Sequence, residues 1–324
     1  MATLSAATTD RSSPAQGGPP LVLLLRSAWT RAEGRTALAG ACGCLGLLFL
    51  VFWPNLRHFA ATWTTDENYS HGFLVPLLSL YFANEAARRG PITVQGGVGP
   101  GMGLLVLSLL GRLATVVIPV GIVGDGAFLL GLAGVCALMA GTSALRRFGF
   151  AIAFLAFMVP LPVALYAAIA SPLQLTVSQV ASELLNRIGI PVLCEGNLMT
   201  LPGGVHMFVA EACSGMRQLT GFLALTTAVA YLSGRGPWYR LTLVLSAVPI
   251  AMTANVVRVV VTGVIMDRFD PKYASGTFHT LEGLLMMGLG LAILGAECWL
   301  LDHLAPPGPP AASQASREVG AATA

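Results

Sequence analysis

The chain has 324 residues, of which 55% are hydrophobic and only 10% are charged. Soluble domains carry about 25% charged residues, so this composition excludes a soluble globular protein and predicts a polytopic membrane protein. The net charge is +3 and no basic cluster contains interleaved aromatic residues, so nucleic acid is not expected as a partner. The six cysteines are scattered and no C-x-x-C occurs, which excludes a disulfide-based scaffold.

Apolar segments recur along most of the chain, and a transmembrane helix needs about 20 mostly apolar residues. We predict an all-α polytopic membrane protein with about eight transmembrane helices within residues 37–304. Two of the eight contain an ionisable residue, Arg112 in the third and Asp125 in the fourth. The predicted spans are 37–54, 71–87, 99–118, 122–140, 148–166, 213–232, 241–263 and 281–301.

The two ends of the chain have the composition of disordered tails. Residues 1–36 combine four arginines with Ser, Pro and Gly, and residues 305–324 are rich in Pro, Ala and Ser. In an eight-helix arrangement the short basic connections lie on the same side as these tails. The excess of positive charge on that side predicts that both termini are cytoplasmic. The connections concerned contain Arg88, Arg89, Arg146, Arg147, Arg235 and Arg240.

The stretch 167–212 is the only sizeable segment predicted outside the membrane. Its first half, Ser171–Gly189, predicts an amphipathic helix lying on the outer surface. In the second half, short apolar runs are interrupted by Glu-Gly-Asn and Pro-Gly-Gly, a pattern typical of a small β-hairpin. The apolar positions that follow a spacing of three and four in the helix are Leu173, Val177, Val180, Leu184 and Ile188.

Three residues with catalytic side chains are predicted to lie at one membrane level, near the outer face. Cys213 begins the sixth span, Arg258 lies near the outer end of the seventh and His279 immediately precedes the eighth. A thiol, a guanidinium and an imidazole supply the nucleophile, the anion stabiliser and the proton carrier of thiol-based acyl transfer. The start of a helix and Arg217 one turn later both favour the thiolate form of Cys213.

Each of these residues also has a purely structural interpretation. Cys213 can be a packing residue or can form a disulfide with Cys194, and His279 can cap a helix at the interface. Arg258 can form a buried ion pair with Glu211 or Glu282. Asn255, one turn before Arg258, can position the guanidinium in either case, and His71 raises the same question in another external loop. The histidines have no metal-ligand spacing, and we expect neither a metal nor a cofactor.

Six motifs in the same order resemble those of the exosortases, of the exosortase/archaeosortase group of membrane transpeptidases. The resemblance extends from about Trp63 to Gly290. The motifs are W-x5-YSHGFLVPLLS, VPLPVALYAAIASPLQ, GIPVLCEGN, EACSGMRQL, PIAMTANVVRV and FHTLEG.

The resemblance implies that Cys213, Arg258 and His279 are the catalytic residues. It also implies cleavage of a PEP-CTERM-type sorting signal, in which a Pro-containing motif, a transmembrane helix and a basic tail end an exported protein. The new carboxyl end would pass to an acceptor by way of a thioester. Members are associated with bacteria that make exopolysaccharide. We therefore expect this protein to lie in the bacterial inner membrane, with its active site toward the periplasm. Tyr69, His71, Arg217 and Asn255 are the residues we expect to bind or orient the substrate.

Two other functions are consistent with a polytopic membrane protein. A small-molecule transporter or lipid flippase would need discontinuous helices and charges at the membrane midplane, whereas the candidate residues are predicted near one face. A quinone-linked thiol oxidoreductase would use Cys194 and Cys213, but such enzymes normally carry C-x-x-C.

Overall fold

The computed structural model describes residues 19–89, 97–117, 120–209, 215–269 and 277–304. The described chain is almost entirely helical, with one small sheet, which confirms the predicted fold class. It divides into two compact units, Met1–Pro160 and Leu161–Ala324. The predicted C-terminal tail 305–324 lies outside the described residues.

Among the described residues, six helical segments are long and apolar enough to cross a membrane. The predicted spans 71–87 and 213–232 correspond to helices of 15 and 18 residues, which are not among the six. The count of eight spans therefore stays a prediction. The six segments are Ala32–Val51, Val98–Val117, Gly121–Met158, Val163–Arg187, Pro237–Arg268 and Leu281–Leu304.

In its described residues the first unit contains six α-helices and two short 3-10 helices. Residues 21–36, predicted as part of a disordered tail, are instead helical, since α1 and the start of α2 lie there. The elements are α1 (Leu21–Thr30), α2 (Ala32–Val51), α3 (Trp53–Thr65), a 3-10 helix (Glu67–Phe73), α4 (Leu74–Arg88), α5 (Val98–Val117), α6 (Gly121–Phe154) and a 3-10 helix (Leu155–Met158).

Helix α6 is interrupted at Gly141, where φ is 88° and ψ is 169°. This backbone conformation is open almost only to glycine. Residues from both sides of the break, such as Ile122 and Ile152, line the same groove. The two arms therefore lie side by side, in agreement with a fourth and a fifth predicted span that meet near this glycine.

The predicted fifth span, 148–166, is wrong as a single helix. The helical chain ends at Met158, residues 159–162 are not helical, and a new helix begins at Val163. The sequence Val-Pro-Leu-Pro explains the interruption, because proline lacks an amide N–H and disfavours helical geometry in the residue before it. The predicted surface helix consequently starts eight residues earlier than expected and is itself long enough to span a membrane.

The ionisable residues of the predicted third and fourth spans have partners within the first unit. Asn55 Nδ2 donates to Asp125 Oδ1 at 2.8 Å, and Asp125 is only 2% exposed. Arg112 donates to the carbonyl of Val51 at 3.3 Å and to Thr115 Oγ1 at 2.9 Å. Polar groups in an apolar environment need such partners, and these bonds connect the α2–α3 segment to α5 and α6.

The described part of the second unit contains four α-helices, a three-stranded antiparallel sheet and a 3-10 helix (Pro202–Gly204) between its second and third strands. The predicted hairpin is confirmed and extended by a third strand, with the order β1-β2-β3. The elements are α7 (Val163–Arg187), β1 (Leu193–Glu195), β2 (Leu198–Leu201), β3 (Val205–Phe208), α8 (Gly215–Leu232), α9 (Pro237–Arg268) and α10 (Thr277–Leu304).

The buried face of α7 differs from the predicted apolar stripe. Val177 is buried as expected, but Val180, Leu184 and Ile188 are 41%, 37% and 55% exposed. The face that packs inward carries small residues, among them Ala181, which is fully buried. Lipid tails are as apolar as the large side chains on the exposed face, so burying those side chains against protein gains little. A membrane helix instead turns its small residues toward neighbouring helices, which allows close packing.

The sheet packs onto both α7 and α9. Met199 and Met207 are opposite each other in the β2–β3 register, and both belong to a buried cluster with Val177, Leu185 and Val259. This cluster fixes α9 against α7 and the sheet at Val259. It thereby positions the neighbouring residue, Arg258.

Candidate functional site

One face of α9 presents three polar side chains to the interior of the second unit. Asn255, Arg258 and Thr262 follow the helical spacing of three and four, and they are 2%, 8% and 1% exposed. Ala254 and Val259 beside them are completely buried. A guanidinium inside a membrane protein is costly and marks a functional position by default, so this face is the core of the candidate site.

The side chain of Arg258 reaches across to α10. A methyl group placed on Gly283 would lie 3.8 Å from Arg258 Nη2. Glu282, only 4% exposed, accepts a hydrogen bond from the hydroxyl of Thr262, which also lies 2.9 Å from the carbonyl oxygen of Arg258. The α9–α10 contact thus contains a buried cation, Arg258, and a buried carboxylate, Glu282. The carboxylate is bonded to Thr262, which is one helical turn after Arg258 on α9.

Two of the three predicted catalytic side chains lie outside the described part of the structure. His279 is the third residue of α10 and precedes Gly283 by one turn, but its side chain is not described. Cys213 and Glu211 fall in the undescribed segment 210–214, just before the first residue of α8. Their arrangement around Arg258 stays a prediction.

Helix α8 contributes a residue that the sequence reasoning missed. Gln218 is 6% exposed, and neither atom of its amide has a hydrogen-bond partner among the described residues. Buried amides are normally hydrogen-bonded. The unbonded amide of Gln218 is therefore a candidate to bind a substrate group. The signal in the sequence was a carboxamide inside an apolar span, directly after Arg217, which is half-buried in the first turn.

A narrow cleft of about 20 Å³, room for roughly one water molecule, lies between α7, α8 and α9, close to this polar face. Its walls are mostly apolar, with two carboxamides, Gln174 and Asn255. Asn255 Oδ1 has no hydrogen-bond partner among the described residues. Gln174 Oε1 accepts from Asn197 Nδ2 of the β1–β2 turn at 3.2 Å.

Tyr69 and His71 belong to the first unit, in the 3-10 helix before α4. Tyr69 is 6% exposed and its ring centroid lies 6.4 Å from that of His71. Trp63 Nε1 donates to the carbonyl of Met158 at 2.9 Å. A methyl group on Gly72 would collide with the Trp63 indole, so the Trp and Tyr-Ser-His-Gly motifs are packed into one local structure.

The surroundings of the His71 imidazole favour its neutral form. Its Nε2 lies 3.2 Å from the carbonyl oxygen of Phe157, a geometry that assigns the proton to Nε2. Burial lowers the pKa of His71, and this effect outweighs the opposing effect of backbone hydrogen bonds to Phe157 and Asn68. At neutral pH His71 therefore acts as a hydrogen-bonding group rather than as a cation.

A comparison with protein families decides the assignment. The model of the transmembrane exosortase family matches residues 63–296, which is well over half of the chain and includes all seven candidate residues. The chain belongs to the transmembrane exosortase family. No curated protein and no solved structure matches it.

Family membership makes this chain a multi-pass membrane peptidase or transpeptidase, since exosortases act on exported proteins with C-terminal sorting signals. The match begins at Trp63, which anchors the packed motif of the first unit. It covers nearly all of the second unit, where Arg258 and Asn255 lie. Both units therefore contain part of the sequence that the family model matches.

Cys194 in this exosortase is a free, half-buried thiol. Its Sγ lies 3.5 Å from the carbonyl oxygen of Gly196. Within the described residues, no three His, Cys, Asp or Glu side chains form a group that could hold a metal ion.

Proposed function

We propose that this chain is a membrane-embedded cysteine transpeptidase that cleaves a PEP-CTERM-type sorting signal and transfers the new carboxyl terminus to an acceptor. The observation that supports this most is the buried guanidinium of Arg258 at the α9–α10 contact, within the region that the family model matches. The substrates are exported proteins that end in a Pro-containing motif, a transmembrane helix and a basic tail.

Cys213 is the proposed nucleophile. An ordinary cysteine has a pKa of about 8.5 and is only a few per cent thiolate at neutral pH. The start of α8 and the nearby cations would increase the thiolate fraction. Attack on the scissile carbonyl forms a C–S bond, and the tetrahedral intermediate carries a negative charge on its oxygen.

Arg258 would stabilise that oxyanion. A fixed donor in a site that excludes water stabilises a developing charge more strongly than water does. His279 would protonate the leaving amine as the C–N bond breaks, which leaves an acyl-thioester on Cys213. An amine or hydroxyl acceptor then attacks the thioester and releases the thiol. Arg217 and Asn255 would orient the reacting groups, and Tyr69 and His71 would contact the signal.

The proposed location is the bacterial inner membrane, with both termini in the cytoplasm and the active site toward the periplasm. A signal anchored by one helix presents its scissile bond just outside the bilayer, at the level predicted for Cys213. Impermeant thiol reagents should label cysteines placed in residues 195–205 of intact cells. Gly234→Cys should be labelled only after permeabilisation, and its labelling in intact cells would contradict this topology.

The thiol mechanism can be tested directly. Cys213→Ala should abolish cleavage of a sorting-signal reporter with normal enzyme abundance, and Cys213→Ser should be almost as inactive because a hydroxyl is far less acidic. Cys194→Ala is the matched control and should cleave normally. Mass spectrometry of enzyme trapped without acceptor should find a hydroxylamine-sensitive adduct on the peptide that contains Cys213. An adduct elsewhere, or processing by the Ala variant, would exclude Cys213 as the nucleophile.

A further inference from the structure

We propose that α1 lies along the membrane surface and that the arginines in and after it bind the headgroups of anionic phospholipids. This surface precedes residues 63–296, the region that the family model matches, so it is separate from the proposed transpeptidase activity. The partner is a lipid surface of net negative charge, for example one that contains phosphatidylglycerol.

Helix α1 is too short to cross a membrane and does not continue into the span that follows it. Its ten residues extend about 15 Å, which is about half of the ~30 Å apolar thickness of a bilayer. The backbone is extended at Arg31, with φ −99° and ψ 139°, and the candidate span α2 begins at the next residue. A methyl group on Gly34 would collide with the carbonyl group of Ala28, so the end of α1 packs against the first turn of α2 instead of extending it.

Both ends of α1 are fixed at the same end of the first unit. The backbone N–H of Leu21 donates to Asn84 Oδ1 at 2.9 Å, and Asn84 lies one turn before the end of α4. The other end of α1 is joined to the start of α2. In the topology proposed above, the start of α2 and the end of α4 are both at the cytoplasmic face. A helix tied at both ends to one face of the membrane lies along that face.

The exposed surface of α1 is divided into an apolar strip and a more polar strip. Val22, Leu25 and Trp29 follow the helical spacing of three and four, and they are 72%, 47% and 64% exposed. The other strip carries the polar residues and one leucine, namely Leu23, Arg26, Ser27 and Thr30. Amphipathic helices with this division lie in the interface with their apolar side among the acyl chains, and tryptophan is enriched at that level.

The charge around α1 favours anionic lipid as the partner. Residues 19–36 contain three arginines and one glutamate, so their net charge is +2. Arg26, Arg31 and Arg35 are all exposed, and an arginine near an anionic surface strengthens binding about fivefold. A second copy of this surface would carry the same positive charge and would be repelled.

Photo-crosslinking of the full-length enzyme can identify what covers α1. The enzyme is placed in nanodiscs with equal amounts of phosphatidylcholine and phosphatidylglycerol, and a photoreactive amino acid is introduced at Leu25. The reference position is Leu110, which is exposed within the candidate span α5. We expect the ratio of phosphatidylglycerol to phosphatidylcholine adducts to be about fivefold higher at Leu25 than at Leu110. Equal ratios at the two positions, or adducts at Leu25 with protein instead of lipid, would overturn the inference.

The role of charge is tested by replacing Arg26, Arg31 and Arg35 together with glutamine. Since the three side chains are exposed, the fold should be retained, and the adduct ratio at Leu25 should fall to that at Leu110. High salt should have the same effect on the wild type, because it screens exposed charges. Arg57→Gln, on an exposed position of α3, is the matched control and should keep the high ratio. An unchanged ratio in the triple variant would overturn the inference. Both leaflets of the nanodisc have the same composition, so the result does not depend on which face is cytoplasmic.

Discussion

The hydroxyl of Thr262 on α9 donates to the carboxylate of Glu282 on α10, and both side chains are at most 4% exposed. The bond crosses the helix contact one turn from Arg258. His279 precedes Glu282 by three residues on α10, so this bond joins α9 to the turn of α10 that follows His279. One hydroxyl thus holds two helices in register where the catalytic groups are predicted to meet.

Loss of that hydroxyl should destabilise the second unit. Thr262→Val keeps the shape of the side chain but removes a hydrogen bond to a buried carboxylate, which contributes about 1–3 kcal/mol. Thr262→Ser retains the hydroxyl and is the control. Thermal unfolding in detergent should show a lower midpoint for the Val variant than for the Ser variant. Equal midpoints would mean that the bond contributes nothing measurable.

Substitution of Arg258 by lysine should separate a directional role from a purely ionic one. Lysine keeps the charge but loses the planar set of donors. We expect Arg258→Lys to reduce processing by roughly 100-fold or more, as for the loss of an oxyanion donor, with normal abundance in the membrane. Full turnover by this variant would exclude directional hydrogen bonding. Loss of the protein itself would favour the structural ion pair.

Gln218 should affect activity without supporting stability. Since its amide has no partner among the described residues, Gln218→Leu removes an unsatisfied polar group and should leave the unfolding midpoint unchanged or higher. We expect cleavage to fall in the same variant, because the amide would then be unable to bond to a reacting group or substrate. A fall in stability with unchanged cleavage per folded enzyme would contradict this prediction.

The stability of the first unit should depend on pH through His71. Its pKa is lowered in the folded state, so the unfolded chain, with a pKa of about 6.5, takes up a proton at a higher pH than the folded chain does. The contribution of His71 is therefore intact above that value and is lost as the pH falls below it. His71→Gln keeps a donor for the Phe157 carbonyl but does not titrate, and its melting temperature should vary less between about pH 7.5 and 5.5. Identical pH profiles would refute this account.

Two glycines of α6 should respond in opposite directions to alanine. Gly141→Ala forces an L-residue into a conformation at φ 88°, with an expected cost of about 1–3 kcal/mol. Gly126 is helical and a methyl group there would meet nothing within 4 Å, so Gly126→Ala should stabilise the protein by about 0.5–1 kcal/mol. The unfolding midpoints of the two variants, compared with that of the wild type, test this prediction. A Gly141→Ala variant with a wild-type midpoint would mean that the two arms of α6 can be joined through another backbone conformation.

The sequence was most informative where one physical requirement dominates. The span predicted at 99–118 is Val98–Val117 in the structure, because an apolar run of that length, with Arg112 as its one charged residue, has few alternatives. Arg258 is buried in the structure, as expected for a guanidinium that cannot face lipid tails cheaply.

Prediction was less successful where two requirements compete. At Pro160 and Pro162 the sequence stays apolar but the helix is interrupted. A prediction based on hydropathy therefore placed one span, 148–166, across this interruption. On α7 the large apolar residues indicated a buried stripe, but a helix among lipids turns its small residues inward. Gln218 was missed because a carboxamide has no charge to mark it, and only burial reveals that it lacks a partner.

The β2–β3 turn provides a place to insert a reporter without disturbing the fold. Residues Pro202–Gly204 are exposed, and methyl groups added at Gly203 and Gly204 would meet nothing within 4 Å. The buried residues of the flanking strands, Met199 and Met207, lie outside this turn. Exposed turns of this kind accept insertions, so an epitope or a protease site between the two glycines would report which side of the membrane the sheet occupies in an enzyme that still folds.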